Sequence, residues 1–108
     1  GIEKAHISDE GIVAVATKKA RNFDKAHPYI KAFDIAGKET FSSYLDFVPN
    51  SIKVHDAKVY ISDSQGLKVF GDRTNPLIIL YKGVGKIQEI RPPFILFTQG
   101  ENSILLRE

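Results

Sequence analysis

Four basic side chains and two rings crowd one short stretch of this chain: Lys18, Lys19, Arg21 and Lys25, with Phe23 and His27 interleaved. Ammonium and guanidinium groups bind phosphate oxygens, and a neighbouring ring stacks on a base, so this pattern fits a grip on nucleic acid. A solvated hairpin extension explains the same residues without a ligand, and Asp24 dilutes the local charge. Read functionally, the stretch describes a compact basic β-domain whose affinity falls steeply with salt.

The remaining reactive residues do not converge. His6, His27 and His55 show neither the i, i+2 nor the i, i+4 spacing that aims two imidazoles at one metal. The chain has no cysteine, which removes thiolate ligands, disulfides and a cysteine nucleophile. Ser42, Ser43, Ser62, Ser64 and Ser103 occur without a Gly-x-Ser-x-Gly elbow. Gly83-Val84-Gly85-Lys86 lacks the spacing of a phosphate loop and the hydroxyl residue after its lysine; it reads as a flexible link. Carboxylates gather at turns, where Asp accepts hydrogen bonds from N–H groups two residues on. No catalytic residue, metal ligand or cofactor is therefore assigned. A formal charge of +2, from 15 basic and 13 acidic side chains, is not by itself a nucleic-acid footprint.

Short strands position these residues. Helical periodicity is poor; the most helix-like stretch, 17–26, is mostly polar and precedes Pro28, which allows one turn at most. Strands are expected at 3–7, 12–17, 29–35 and 40–47, then 51–54, 58–62, 67–70 and 77–81, then 87–90, 94–98 and 103–107. Turn residues such as Asp9-Glu10-Gly11, Ala36-Gly37-Lys38 and Asp63-Ser64-Gln65-Gly66 separate them. Loops this short give an antiparallel meander. Runs such as Ile12-Val13-Ala14-Val15-Ala16 and Leu77-Ile78-Ile79-Leu80 are apolar on both faces, which suits sheets covered on both sides. A β-sandwich or small β-barrel is the alternative all-β arrangement.

The meander repeats. Ile12 aligns with Val59 at an offset of 47, Ile30 with Leu67 at 37, and Lys58 with Phe94 at 36. A unit of a few dozen residues made only of strands is the signature of propeller blades. The blade-like repeats span 1–48, 49–83 and 84–108 of a single all-β unit. Between its second and third strands the first is ten residues longer than the second, by the difference of the offsets 47 and 37, and the surplus is the basic stretch that ends at His27 and Pro28. A ring of carboxylates around a repeat axis is broken, because the third copy has Pro92 opposite Asp56.

Lys58-Val59-Tyr60-Ile61-Ser62-Asp63-Ser64-Gln65-Gly66-Leu67-Lys68-Val69-Phe70, followed by Asn75-Pro76-Leu77-Ile78-Ile79-Leu80-Tyr81, resembles one blade of the LVIVD-type β-propeller repeats. The likeness is clear over residues 58–81; the third repeat offers Gln99-Gly100-Glu101-Asn102 where that pattern has an Asp-Gly turn, and the first has no Asn-Pro. The resemblance implies about two and three-quarter propeller-type blades and no particular activity, since that scaffold hosts unrelated functions.

The third repeat stops one strand short. Ser103, Ile104, Leu105, Leu106 and Arg107 then form an open apolar edge, which templates pairing with another chain. More chain is expected beside Leu105, either further copies of this protein or the rest of a longer one. The leading expectation is a non-enzymatic β-propeller-type scaffold, or part of one, mediating protein–protein association. The alternatives are nucleic-acid binding through the basic loop, and a fragment of a propeller enzyme. No apolar run approaches the ~20 residues of a membrane-spanning helix, so no membrane partner is expected. With no signal-peptide pattern at Gly1-Ile2-Glu3-Lys4, the cytoplasm is the default compartment.

Overall fold

The computed structural model describes residues 2–18, 27–70 and 77–108. Its described residues form eleven strands and no helix. They are β1 (Ile2–Ser8), β2 (Gly11–Lys18), β3 (His27–Phe33), β4 (Glu39–Tyr44), β5 (Ser51–His55), β6 (Lys58–Asp63), β7 (Gly66–Phe70), β8 (Ile78–Tyr81), β9 (Lys86–Arg91), β10 (Phe94–Gln99) and β11 (Asn102–Arg107). Each strand pairs antiparallel with the next, giving sheets β1-β2-β3-β4, β5-β6-β7-β8 and β9-β10-β11. The all-β meander and its four, four and three grouping thus follow the spacing of turn residues in the sequence.

The sheets stack face to face, and their first strands are neighbours: β5 lies beside β1 on one side and β9 on the other. Strand alternation decides what each face buries. In β6, Val59 and Ile61 face the first sheet and join Val13, Val15, Ile30 and Ala32 in one core cluster. Tyr60, between them, faces the third sheet and packs with Leu67, Val69, Ile87, Ile95 and Phe97. The middle sheet is therefore covered on both faces, as its near-continuous apolar runs require. Among the described residues each outer sheet is covered on one face only.

Polar groups tie the stack together. The Glu10 carboxylate, in the β1–β2 turn, reaches the β5–β6 turn and accepts from Asp56 N at 2.9 Å and Ala57 N at 2.8 Å. Asp56 and Ala57 both have positive φ, of 50° and 62°, which turns their N–H groups outward together. Between the second and third sheets, Ile87 N donates to Ser51 Oγ at 2.9 Å. Ser51 is bonded in turn to Ser62, which donates to Asn50 Oδ1. This chain satisfies the fully buried Ser62 hydroxyl. The Tyr60 hydroxyl donates to Glu108 Oε2 at 2.9 Å, and Lys58 Nζ lies 3.7 Å from the same carboxylate.

Three local expectations change. Ile35 is not in a strand: β3 ends at Phe33, and Asp34 Oδ1 accepts from Ala36 N and Lys38 N, both at 2.9 Å, leaving Ile35 81% exposed in the turn. Likewise β4 stops at Tyr44; Leu45 N donates to Pro28 O at 2.8 Å and Phe47 leaves the sheet. Within the stretch expected to hold one helical turn, residues 17 and 18 belong to β2, and residues 19–26 lie outside the described residues. The link 82–85 is tight instead of loose: a Cβ on Gly85 would run into Thr98 O and the Phe97 ring, and one on Gly83 into Tyr81 and Gln99. Glycine is used there for close approach, not for flexibility.

Candidate functional site

The third sheet carries an exposed apolar surface. Its β9, β10 and β11 alternate, so Ile87, Ile95 and Phe97 go inward while Phe94, Leu96 and Leu105 share the opposite face. Leu96 is the cross-strand partner of both Glu89 and Leu105, and Phe94 of both Arg91 and Arg107. Five of these six positions, Glu89, Arg91, Phe94, Leu96 and Leu105, line a shallow depression of about 220 Å³. Leu105 is 64% exposed and Phe94 40%. Charge is held at the rim: Arg91 pairs with Glu89 at 2.7 Å, and the Arg107 guanidinium lies 5.7 Å from the centre of the Phe94 ring. The depression thus has an apolar floor and a charged rim.

The same sheet carries the open edge. Ser103, Ile104, Leu105, Leu106 and Arg107 lie in β11, whose inner side pairs with β10 and whose outer side meets no further strand among the described residues. Ile104 and Leu106 turn inward against the second core cluster, and Leu105 turns out. In both other sheets a fourth strand, β4 or β8, occupies the equivalent place. Among the described residues β11 is thus the terminal strand of its sheet.

The basic stretch is only partly visible. Lys18 and His27 are cross-strand partners at the outer end of the β2–β3 ladder, which brings the two ends of the stretch together. Lys19, Arg21, Phe23 and Lys25 lie outside the described residues. The histidines lie on three different strands: His6 in β1, His27 in β3 and His55 in β5. Burial, and secondarily the nearby Lys53 charge, lower the pKa of His6 and favour its neutral form. Among the described residues no group of three or more His, Asp or Glu side chains is placed to hold a metal.

The sequence reading overlooked a charge pair inside the protein. Lys68 Nζ lies 2.8 Å from Asp63 Oδ2, with side chains only 5% and 2% exposed. Lys68 also donates to Gln65 Oε1 at 2.7 Å, and its ammonium stands 5.7 Å from the centre of the Phe47 ring. The other Asp63 oxygen accepts from Gln65 N at 2.8 Å and Gly66 N at 3.2 Å, so both oxygens are occupied. The pair floors a polar cleft of about 270 Å³ between the first and second sheets, with Ser42, Ser43, Tyr44 and Asp46 on its wall. A buried carboxylate and ammonium paired in this way, each with further hydrogen bonds, tie the β6–β7 turn to its own strand. A lysine in the middle of an apolar strand, five residues after a turn aspartate, was the signal available in the sequence. At the β1–β2 turn the acceptor is also different from expectation: Glu10 N donates to Ser8 Oγ at 3.1 Å.

No family model matches the chain, and neither curated proteins nor solved structures show a match to it.

Proposed function

We propose that this chain is a non-enzymatic scaffold of the β-propeller type, or part of one, that associates with protein through its third sheet. The observation that carries the reading is that sheet's open edge β11, with Leu105 largely exposed where the other two sheets have a fourth strand. Stacked meander sheets whose first strands adjoin one another support the propeller-type reading. The spread of the histidines over three strands and the pairing of Asp63 with Lys68 support the non-enzymatic one. Sedimentation velocity and thermal unfolding across a range of protein concentrations test it. The expected result is a species heavier than the 12.0 kDa chain, with a melting temperature that rises with concentration. Ser103→Pro, placed in the edge strand, lowers both. A monomer that unfolds cooperatively at a concentration-independent temperature would falsify the reading.

A further inference from the structure

We infer that the partner is a second copy of this chain, and that the outer face of the third sheet packs on the outer face of the partner's first sheet. The inference rests on the scaffold reading and specifies its partner. Repeat register carries it. The middle sheet contacts the third through Tyr60 and Val69. One repeat later, at the offset of 36, those positions are Leu96 and Leu105, the two leucines on the uncovered face of the third sheet. The middle sheet contacts the first through Val59, Ile61 and Phe70. One repeat earlier, at offsets of 47 and 37, those positions are Ile12, Ala14 and Phe33. They alternate with the inward Val13 and Ala32, and Ile12 is the cross-strand partner of Phe33. Ile12 is 45% exposed and Ile7, its partner across β1 and β2, is 76% exposed.

The chain therefore carries both halves of its own internal contact, one on each outer sheet, and among the described residues neither is covered by another strand. Placing the third sheet of one copy on the first sheet of another continues a packing already used twice within each chain. Charge agrees with that direction of stacking. The β1–β2 and β3–β4 turns hold Asp9 and Asp34, whereas Arg91 and Arg107 flank Phe94 at the end of the third sheet that carries the equivalent β9–β10 turn. Stacked with their turns at the same end, as within the chain, the two faces bring opposite charges together. The depression around Leu96 is placed to receive the Ile12 side chain, since Ile12 occupies the register position of Ile95, which packs on the middle sheet.

A pair of chains related by a twofold axis forms the third-on-first contact twice.

The test uses the full chain and variants at exposed positions, whose folding is checked by circular dichroism. Ile12→Glu and Leu105→Glu lie on opposite outer faces, and each weakens the dimer at least tenfold in sedimentation equilibrium. The two variants mixed regain one intact contact of the two and associate more tightly than either alone. Because the chain has no native cysteine, Ile12→Cys mixed with Leu105→Cys gives a disulfide-linked heterodimer in preference to either homodimer. Self-association that Leu105→Glu abolishes and Ile12→Glu leaves unchanged, with Leu105→Cys homodimers, overturns this inference and leaves the scaffold reading standing. A wild-type chain that stays monomeric overturns both.

Discussion

Replacing Lys68 with methionine tests whether the buried ion pair is held as a unit. Methionine keeps most of the stem volume, so the change removes the ammonium without opening a large cavity. It leaves Asp63 Oδ2 with no cation in a site where the side chain is only 2% exposed. Breaking a buried pair from one side costs about 3–5 kcal/mol, a large share of the ~5–15 kcal/mol by which a domain is stable. With a urea dependence of about 1.5 kcal/mol per molar, the unfolding midpoint falls by about 2–3 M. Asp63→Asn keeps the acceptor that closes the turn through Gln65 N and removes the charge, stranding Lys68 instead. The double variant loses both charges and neither strands the other, so its cost is less than the two single costs added, by about 1–3 kcal/mol. All four proteins are compared at one concentration. A loss under about 1 kcal/mol for Lys68→Met, or costs that add within about 0.5 kcal/mol, would show that the pair is solvated and the geometry misread.

Glu10→Ala removes two charge-assisted bonds to the β5–β6 turn, in an exposed setting, and lowers stability by about 1–2 kcal/mol in urea titration, whereas Asp9→Ala changes it by less than about 0.5 kcal/mol. Burial, reinforced by the bond to Glu108, raises the pKa of Tyr60 above the ordinary phenol value of 10.0. Its folded state therefore holds the proton more tightly than its unfolded state, so this contribution is complete below pH 10 and declines above it; the slope of stability against pH flattens there in Tyr60→Phe. Gly85→Ala forces a methyl against Thr98 O and the Phe97 ring and costs about 1–3 kcal/mol by thermal unfolding, without changing the strand content seen by circular dichroism.

The architecture was legible because its determinants are local. Gly11, Gly37, Gly66 and Gly100 each sit in a hairpin turn with positive φ, and between those turns the apolar runs fix strands of the observed lengths. The errors are local too. Asp34 competes for the backbone and ends β3 two residues before the apolar pattern does, stranding Ile35. The site was half legible. Turn spacing placed 103–107 beside 94–98 and not at the centre of a sheet, since strand order in a meander follows order along the chain. The uncovered face of Leu96 and Leu105 was not read, because each residue looks like any other strand hydrophobe until the sheet that covers its equivalent is known. Asp63–Lys68 and Glu10–Asp56 were invisible for a related reason: periodicity says which face a side chain is on, but not which charged group stands opposite it.

The two-sided cover of the middle sheet also sets how the molecule opens. Amide protons of Val59 to Ser62 and of Leu67 to Phe70 lie between both core clusters, so solvent reaches them only after a neighbouring sheet has detached. Those of β11 lie in an edge strand of a sheet covered on one face. Deuterium uptake by the chain should therefore rise outward from the centre of the stack, with β6 and β7 exchanging at the rate of global unfolding. A protein that docks on the third sheet would slow exchange in β10 and β11 while leaving the rate-limiting opening at the centre untouched.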